Sequence, residues 1–169
     1  MSAAPRTWLF ALVAATLVFK LWLSAVFPVT GDEAYFIHWG VEPALGYYDH
    51  PPMIGWWLAL LMKLSAEPWL LRLPVVLLPA VMSLALYAWL RPRDESRAAL
   101  AAIALLLVPM HVWNVFITTD APLVLFSFLS GLAFWRAASS GGRRWYLLAG
   151  VLLGLAALSK YFAAILGLA

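Results

Sequence analysis

The stretch TWLFALVAATLVFKLWLSAVF, residues 7–27, decides the class of fold. It holds a single charge, Lys20, and as a helix rising 1.5 Å per residue it reaches about 31 Å, enough to cross a hydrocarbon layer of about 30 Å. Arg6 stands before the run and Pro28 closes it. A secretory signal would carry an apolar region of about 7 to 15 residues and a small-residue cleavage site. This run is longer and ends in AVFPVT, so it reads as a retained first span. Four more stretches have the same character, at residues 73–90, 98–117, 121–138 and 145–162, which predicts about five transmembrane helices. The whole chain fits that reading: 65% of its 169 residues are apolar and 11% charged, where a soluble domain has about 25% charged. The expected fold is an all-α polytopic membrane protein forming a single transmembrane unit over residues 1–169.

The arginines set the expected orientation. Arg91, Arg93 and Arg97 lie in RPRDESR, Arg136, Arg143 and Arg144 border the turn AASSGG, and Arg6 precedes the first span. The positive-inside rule puts these three places, and the N-terminus, in the cytoplasm. The formal charge of +3 is therefore read as topology, and no nucleic-acid partner is expected. Alternation then places residues 28–72, the turn at Thr118–Asp120 and the end near Lys160 on the external side. Within that loop PMIGWWLALLMKL, residues 52–64, reaches only about 20 Å and is read as an interfacial helix, with Trp56, Trp57 and Lys63 at headgroup depth. With no cysteine, the chain has neither a disulfide framework nor a thiolate site. It ends on YFAAILGLA, an apolar run without a polar exit, which reads either as a short C-terminus or as a chain cut from a longer protein.

The groups able to do chemistry gather on the external side. Asp32, Glu33, Glu42 and Asp49 precede the interfacial helix with no lysine or arginine among them, a set suited to acting as a base or to holding a hard cation. Thr30 and Glu33 also fit a capping box, with Gly40 as a helix stop, a reading that leaves Asp32 without a structural task. Asp32 and Glu33 are adjacent, so on a helix they point about 100° apart; one is expected to act and the other to position it. Tyr47, Tyr48, Asp49, His50, Pro51 and Pro52 join a carboxylate and an imidazole to two stiff prolines, and a capped loop with interfacial tyrosines explains them equally. Asp120, in TTDAP, suits a helix N-cap, and its position on the external face also suits sharing a cation or a substrate hydroxyl with Asp32. Lys160 reads either as a snorkelling anchor or as the positive charge for a phosphate leaving group. Arg72, the one arginine assigned outside, fits phosphate binding or an ordinary headgroup contact. Lys20 reads as snorkelling. His38, His50 and His111 lack a zinc-ligand spacing.

In order, the first span, DEAYF, LGYYDHPP, the tryptophan-rich short helix, LRLP, TTDAPL and LSKYF resemble the N-terminal part of the glycosyltransferase family 39 enzymes. These include the dolichyl-phosphate-mannose protein mannosyltransferases and the bacterial aminoarabinose transferases. The resemblance implies the GT-C membrane fold. It also implies transfer of a sugar from a polyprenyl-phosphate donor to a lipid, glycan or protein hydroxyl at the non-cytoplasmic face, with inversion. By that resemblance Asp32 becomes the base and Glu33 its neighbour in the motif. Lys160 and Arg72 become the groups that meet the donor phosphate, with Tyr48, Asp49 and His50 in the adjoining substrate loop. Asp120 becomes the second acid, paired with Asp32 as the expected ligands of a divalent cation, Mg or Mn. Family members are several times longer than this chain. A bacterial inner membrane is the expected location, and a non-catalytic carrier-lipid binder or transporter is the competing function.

Overall fold

A computed structural model of the chain describes residues 4–167, and among these every regular element is a helix. They are α1 (Ala4–Val26), α2 (Gly31–Val41), α3 (Met53–Met62), α4 (Pro68–Leu71), α5 (Leu73–Leu90), α6 (Glu95–Leu106), α7 (Pro109–Trp113), α8 (Asp120–Ser140), α9 (Arg143–Ala157) and α10 (Ala163–Gly167). Among the described residues three helices are long and apolar enough to cross a membrane: Pro5–Val26, Asp120–Ser140, and Pro68–Leu90, where α4 continues through Arg72 into α5. The chain divides into two compact units, one built from the residues up to Val29 with Glu67–Phe116, the other from Thr30–Ala66 with the residues from Ile117 onward.

In the first unit α1 packs on α5 and α6, with Leu9 and Val13 against Ala80, Tyr87, Ala98, Ala99, Ala102 and Leu106. Small side chains at 98, 99 and 102 let the backbones approach, so packing gains contact area where lipid and side chain are equally apolar. Three polar side chains in this unit answer one problem. Proline has no N–H, so the carbonyl four residues before it in a helix loses its partner. Pro79 frees the carbonyl of Val75, and the Lys20 ammonium donates to it at 3.1 Å and to the carbonyl of His111 at 3.1 Å. Pro28 frees that of Ser24, and the Arg72 guanidinium donates to it at 2.8 Å, with Phe27 and Pro28 carbonyls at 2.8 and 3.0 Å. Pro109 denies Leu105 its regular helical donor; that carbonyl accepts from Val108 N–H at 3.4 Å and lies 2.7 Å from Nδ1 of His111. Lys20 is therefore not a snorkelling side chain: it is buried at 1% exposure, because its charge is spent on backbone inside the unit.

The stretch expected as a span over 98–117 is two pieces, α6 and α7, because Pro109 cannot continue the ladder of α6. The stretch expected over 145–162 is α9, fifteen residues ending at Ala157. There the Ser159 hydroxyl donates to the carbonyl of Leu155, and the carbonyl of Leu158 turns to accept from Met53 N–H at 3.0 Å.

That last bond ties the start of α3 to the end of α9 within the second unit. The same unit pairs α8 with α9 through a tight turn at Gly141, whose φ of 67° is the left-handed conformation glycine adopts without strain. Helices α2 and α3 pack closely at Gly40, where a Cβ would stand 2.7 Å from Cβ of Leu58. Gly40 is thus a contact point inside α2 and not its stop. Pro43 frees the carbonyl of Trp39, and the Tyr47 hydroxyl meets it at 2.9 Å while the two rings stack 4.2 Å apart.

Candidate active site

The second unit brings together the beginnings of α2 and α8 and the end of α9. Glu33 does the joining. Its Oε2 accepts from Thr30 N–H at 3.1 Å and from the Thr30 hydroxyl at 3.3 Å, while the Thr30 hydroxyl accepts from Glu33 N–H at 3.3 Å, a complete capping box. Its Oε1 accepts from the backbone N–H of Ile117 at 3.1 Å, three residues before Asp120. At 1% exposure the carboxylate is withdrawn from solvent, and its charge is offset by these donors and the amides at the helix start.

Asp32 differs in every respect. It is exposed, and no hydrogen bond or ion pair engages it among the described residues. The helix aims it away from Glu33, leaving a free carboxylate on a backbone that Glu33 fixes.

Asp120 is the first residue of α8, and Thr119, not Asp120, is the N-cap; the Asp120 N–H donates to the Thr118 hydroxyl at 2.9 Å. The Asp120 carboxylate is instead engaged by Lys160, whose Nζ lies 2.7 Å from Oδ1. Lys160 follows α9, with its amide on the carbonyl of Ala156 at 3.1 Å and its ammonium 5.6 Å from the Phe162 ring centre. Its side chain keeps 24% exposure and that of Asp120 54%, so the pair is open to solvent. Among the described residues no three His, Asp or Glu side chains come together, and Asp120, the acid expected to share a metal with Asp32, is paired with the Lys160 ammonium.

Asp49 and His50 form a second polar group, with His50 Nδ1 3.0 Å from Asp49 Oδ2 and the Tyr35 hydroxyl donating to Oδ1 at 3.4 Å. The close approach of the His50 ring holds the Asp49 carboxyl below the usual carboxylate range, against partial desolvation. Partial desolvation, then the charge of Asp49, push the Tyr35 phenol up. The His50 ring packs on Phe36 and Trp39, at 6.2 and 5.8 Å. Sequence reasoning passed over Tyr35. Its signal was its place three residues after Asp32, one turn along the same helix face. Tyr48 is fully exposed. Arg72 belongs to the first unit, wholly buried, with the three carbonyl bonds described above.

Residues 49–169 match the family model described as dolichyl-phosphate-mannose-protein mannosyltransferase. Asp49, His50, Asp120 and Lys160 fall inside that stretch, whereas Asp32 and Glu33 precede it. The lipid A galacturonosyltransferase RgtD of Rhizobium johnstonii is 30% identical to the chain over 134 residues, which make up 77% of this chain and 28% of that protein. The chain therefore spans under a third of that relative's length. No solved structure matches it.

Proposed function

This chain belongs to the dolichyl-phosphate-mannose-protein mannosyltransferase family, and from that premise we propose that it carries the acceptor-activating and phosphate-meeting residues of a GT-C membrane glycosyltransferase. The donor is a polyprenyl-phosphate sugar, and the acceptor is a hydroxyl presented at the external face of a bacterial inner membrane. The description of the relative favours a saccharide hydroxyl on a lipid as that acceptor.

Asp32 takes the proton of the acceptor hydroxyl. The oxygen attacks the anomeric carbon, the bond from that carbon to the phosphate oxygen breaks, and the configuration inverts. The phosphate changes from a diester with one negative charge to a monoester approaching two, so a positive group beside it stabilises the transition state more than the ground state. Lys160 supplies that group: the incoming phosphate competes with Asp120 for the ammonium. Glu33 positions Asp32 and touches no substrate, and Arg72 acts on the backbone of α1. Asp49, His50 and Tyr48 lie along the acceptor path.

The observation that supports this reading most is the contrast at the start of α2, an exposed and unpaired Asp32 beside a buried, hydrogen-bonded Glu33. Asp32→Asn keeps the shape and removes the base. In proteoliposomes supplied with a polyprenyl-phosphate sugar, transfer is expected to fall about 100-fold or more with insertion and melting unchanged. Full transfer by a normally inserted Asp32→Asn protein would remove Asp32 from the role.

A further inference from the structure

The two arginine-bearing turns differ in the acidic residues beside them. In the 91–97 turn, Asp94 and Glu95 stand among three arginines; Arg97 pairs with Asp94 at 3.3 Å, and Glu95 is engaged by Arg6 at 3.4 Å. In the α8–α9 turn, Arg136, Arg143 and Arg144 have no acid among them, and the sequence holds no Asp or Glu anywhere after Asp120. Asp120 itself stands at the far end of α8, sixteen residues before Arg136, or about 24 Å along the helix. All three arginines are exposed.

The turn is also ordered. The Arg136 guanidinium lies 5.6 Å from the Trp145 ring centre and that of Arg144 lies 5.5 Å from it, so one indole orients two cations. Gly142 makes room for this, since a Cβ there would stand 3.0 Å from Cδ1 of Trp145. Gly141, in its left-handed conformation, closes α8 by donating to the carbonyl of Ala137 at 2.8 Å, and the Ser140 hydroxyl donates to that of Arg136 at 2.8 Å. A guanidinium resting beside a ring keeps N–H groups for other partners, and its planar fork of donors matches two oxygens of a phosphate. The turn ends a helix long enough to cross the bilayer, which puts it at headgroup depth.

We propose that the α8–α9 turn is a specific site for the phosphate of an anionic phospholipid, with Arg136, Arg143 and Arg144 as ligands and Trp145 as the platform that orients two of them. It is separate from the transfer chemistry and stands whether or not Asp32 is a base.

The test measures retention of phosphatidylglycerol against phosphatidylcholine by the detergent-purified chain in native mass spectrometry. Arg143→Gln with Arg144→Gln is compared with Arg91→Gln with Arg93→Gln, which removes the same charge from the other turn. The first pair is expected to weaken phosphatidylglycerol binding about thirty-fold and the second to leave it nearly unchanged. Equal loss in both would mean bulk charge and overturn the site, as would no loss in either. Displacement of the lipid by millimolar inorganic phosphate would make it a free-phosphate site and overturn the lipid assignment. If the double variant fails to fold, Arg136→Gln supplies the same readout: selective loss of phosphatidylglycerol supports the site, and unaltered retention overturns it.

Discussion

Replacing Glu33 by glutamine keeps its shape and removes half of its acceptors. The carboxylate accepts from Ile117 N–H and Thr30 N–H at 3.1 Å each and from the Thr30 hydroxyl at 3.3 Å. Glutamine has one carbonyl oxygen, so its NH2 must face one of the two backbone amides, donor to donor. A hydrogen bond to a charged group contributes about 1.5–3 kcal/mol, and one such bond is lost. The opening equilibrium at the deserted amide should then rise about 10- to 150-fold. Hydrogen exchange read by mass spectrometry on peptides holding Thr30 and Ile117 measures this directly. Faster exchange is expected at one of them, with peptides from the far end of α8 unchanged. Native protection at both amides in a folded Glu33→Gln protein would refute the claim that this carboxylate holds the starts of α2 and α8 together.

Lys160→Gln should weaken binding of a polyprenyl-phosphate sugar, measured by titration in detergent, whereas Asp120→Asn should strengthen it by releasing the ammonium; equal weakening by both would count against phosphate binding by Lys160. Lys20→Met should lower the melting temperature of the native protein and do so less in a Pro79→Ala background, where the substituted alanine offers the Val75 carbonyl the N–H that proline lacks. The expected coupling is about 1 kcal/mol, and additive effects would separate the lysine from the proline. Asp49 is held below its ordinary pKa, so its ionised form is stabilised on folding; that contribution is complete above the unfolded value of about 3.9 and is lost as pH falls through the lower folded value. Melting curves of the native and Asp49→Asn proteins should therefore differ by a constant amount down to about pH 4 and converge below it, and a gap unchanged to the lowest pH would contradict the His50 contact as its source.

The long helices were legible because hydrophobicity and length together leave few alternatives. Residues 73–90 came out with the observed ends, residues 7–27 and 121–138 became α1 and α8 within three residues, and 52–64 became α3. The stretch 98–117 misled for a physical reason: its apolar content continues through Pro109, whereas the hydrogen-bond ladder does not. At the site, the capping box was readable since Thr30 and Glu33 are three residues apart. The bond to Ile117 was not, because nothing in a backbone amide 84 residues away marks it as a partner. Lys20 was misjudged as a snorkelling side chain. It was assessed by its own charge, when its task is written in Pro79, which strips the Val75 carbonyl on another segment of its helical partner.

The same separation along the chain bears on biogenesis. At about 5–20 residues per second, the ribosome delivers Ile117 some 4 to 17 seconds after Glu33 has been made. Through that interval the Glu33 carboxylate has its local Thr30 contacts but not the amide of Ile117. The motif that fixes Asp32 is thus completed late in synthesis, when the amide of Ile117 arrives. A nascent chain stalled before that residue should carry an Asp32 free to move, and a protease acting on the 30–42 segment would distinguish it from one stalled after the start of α8.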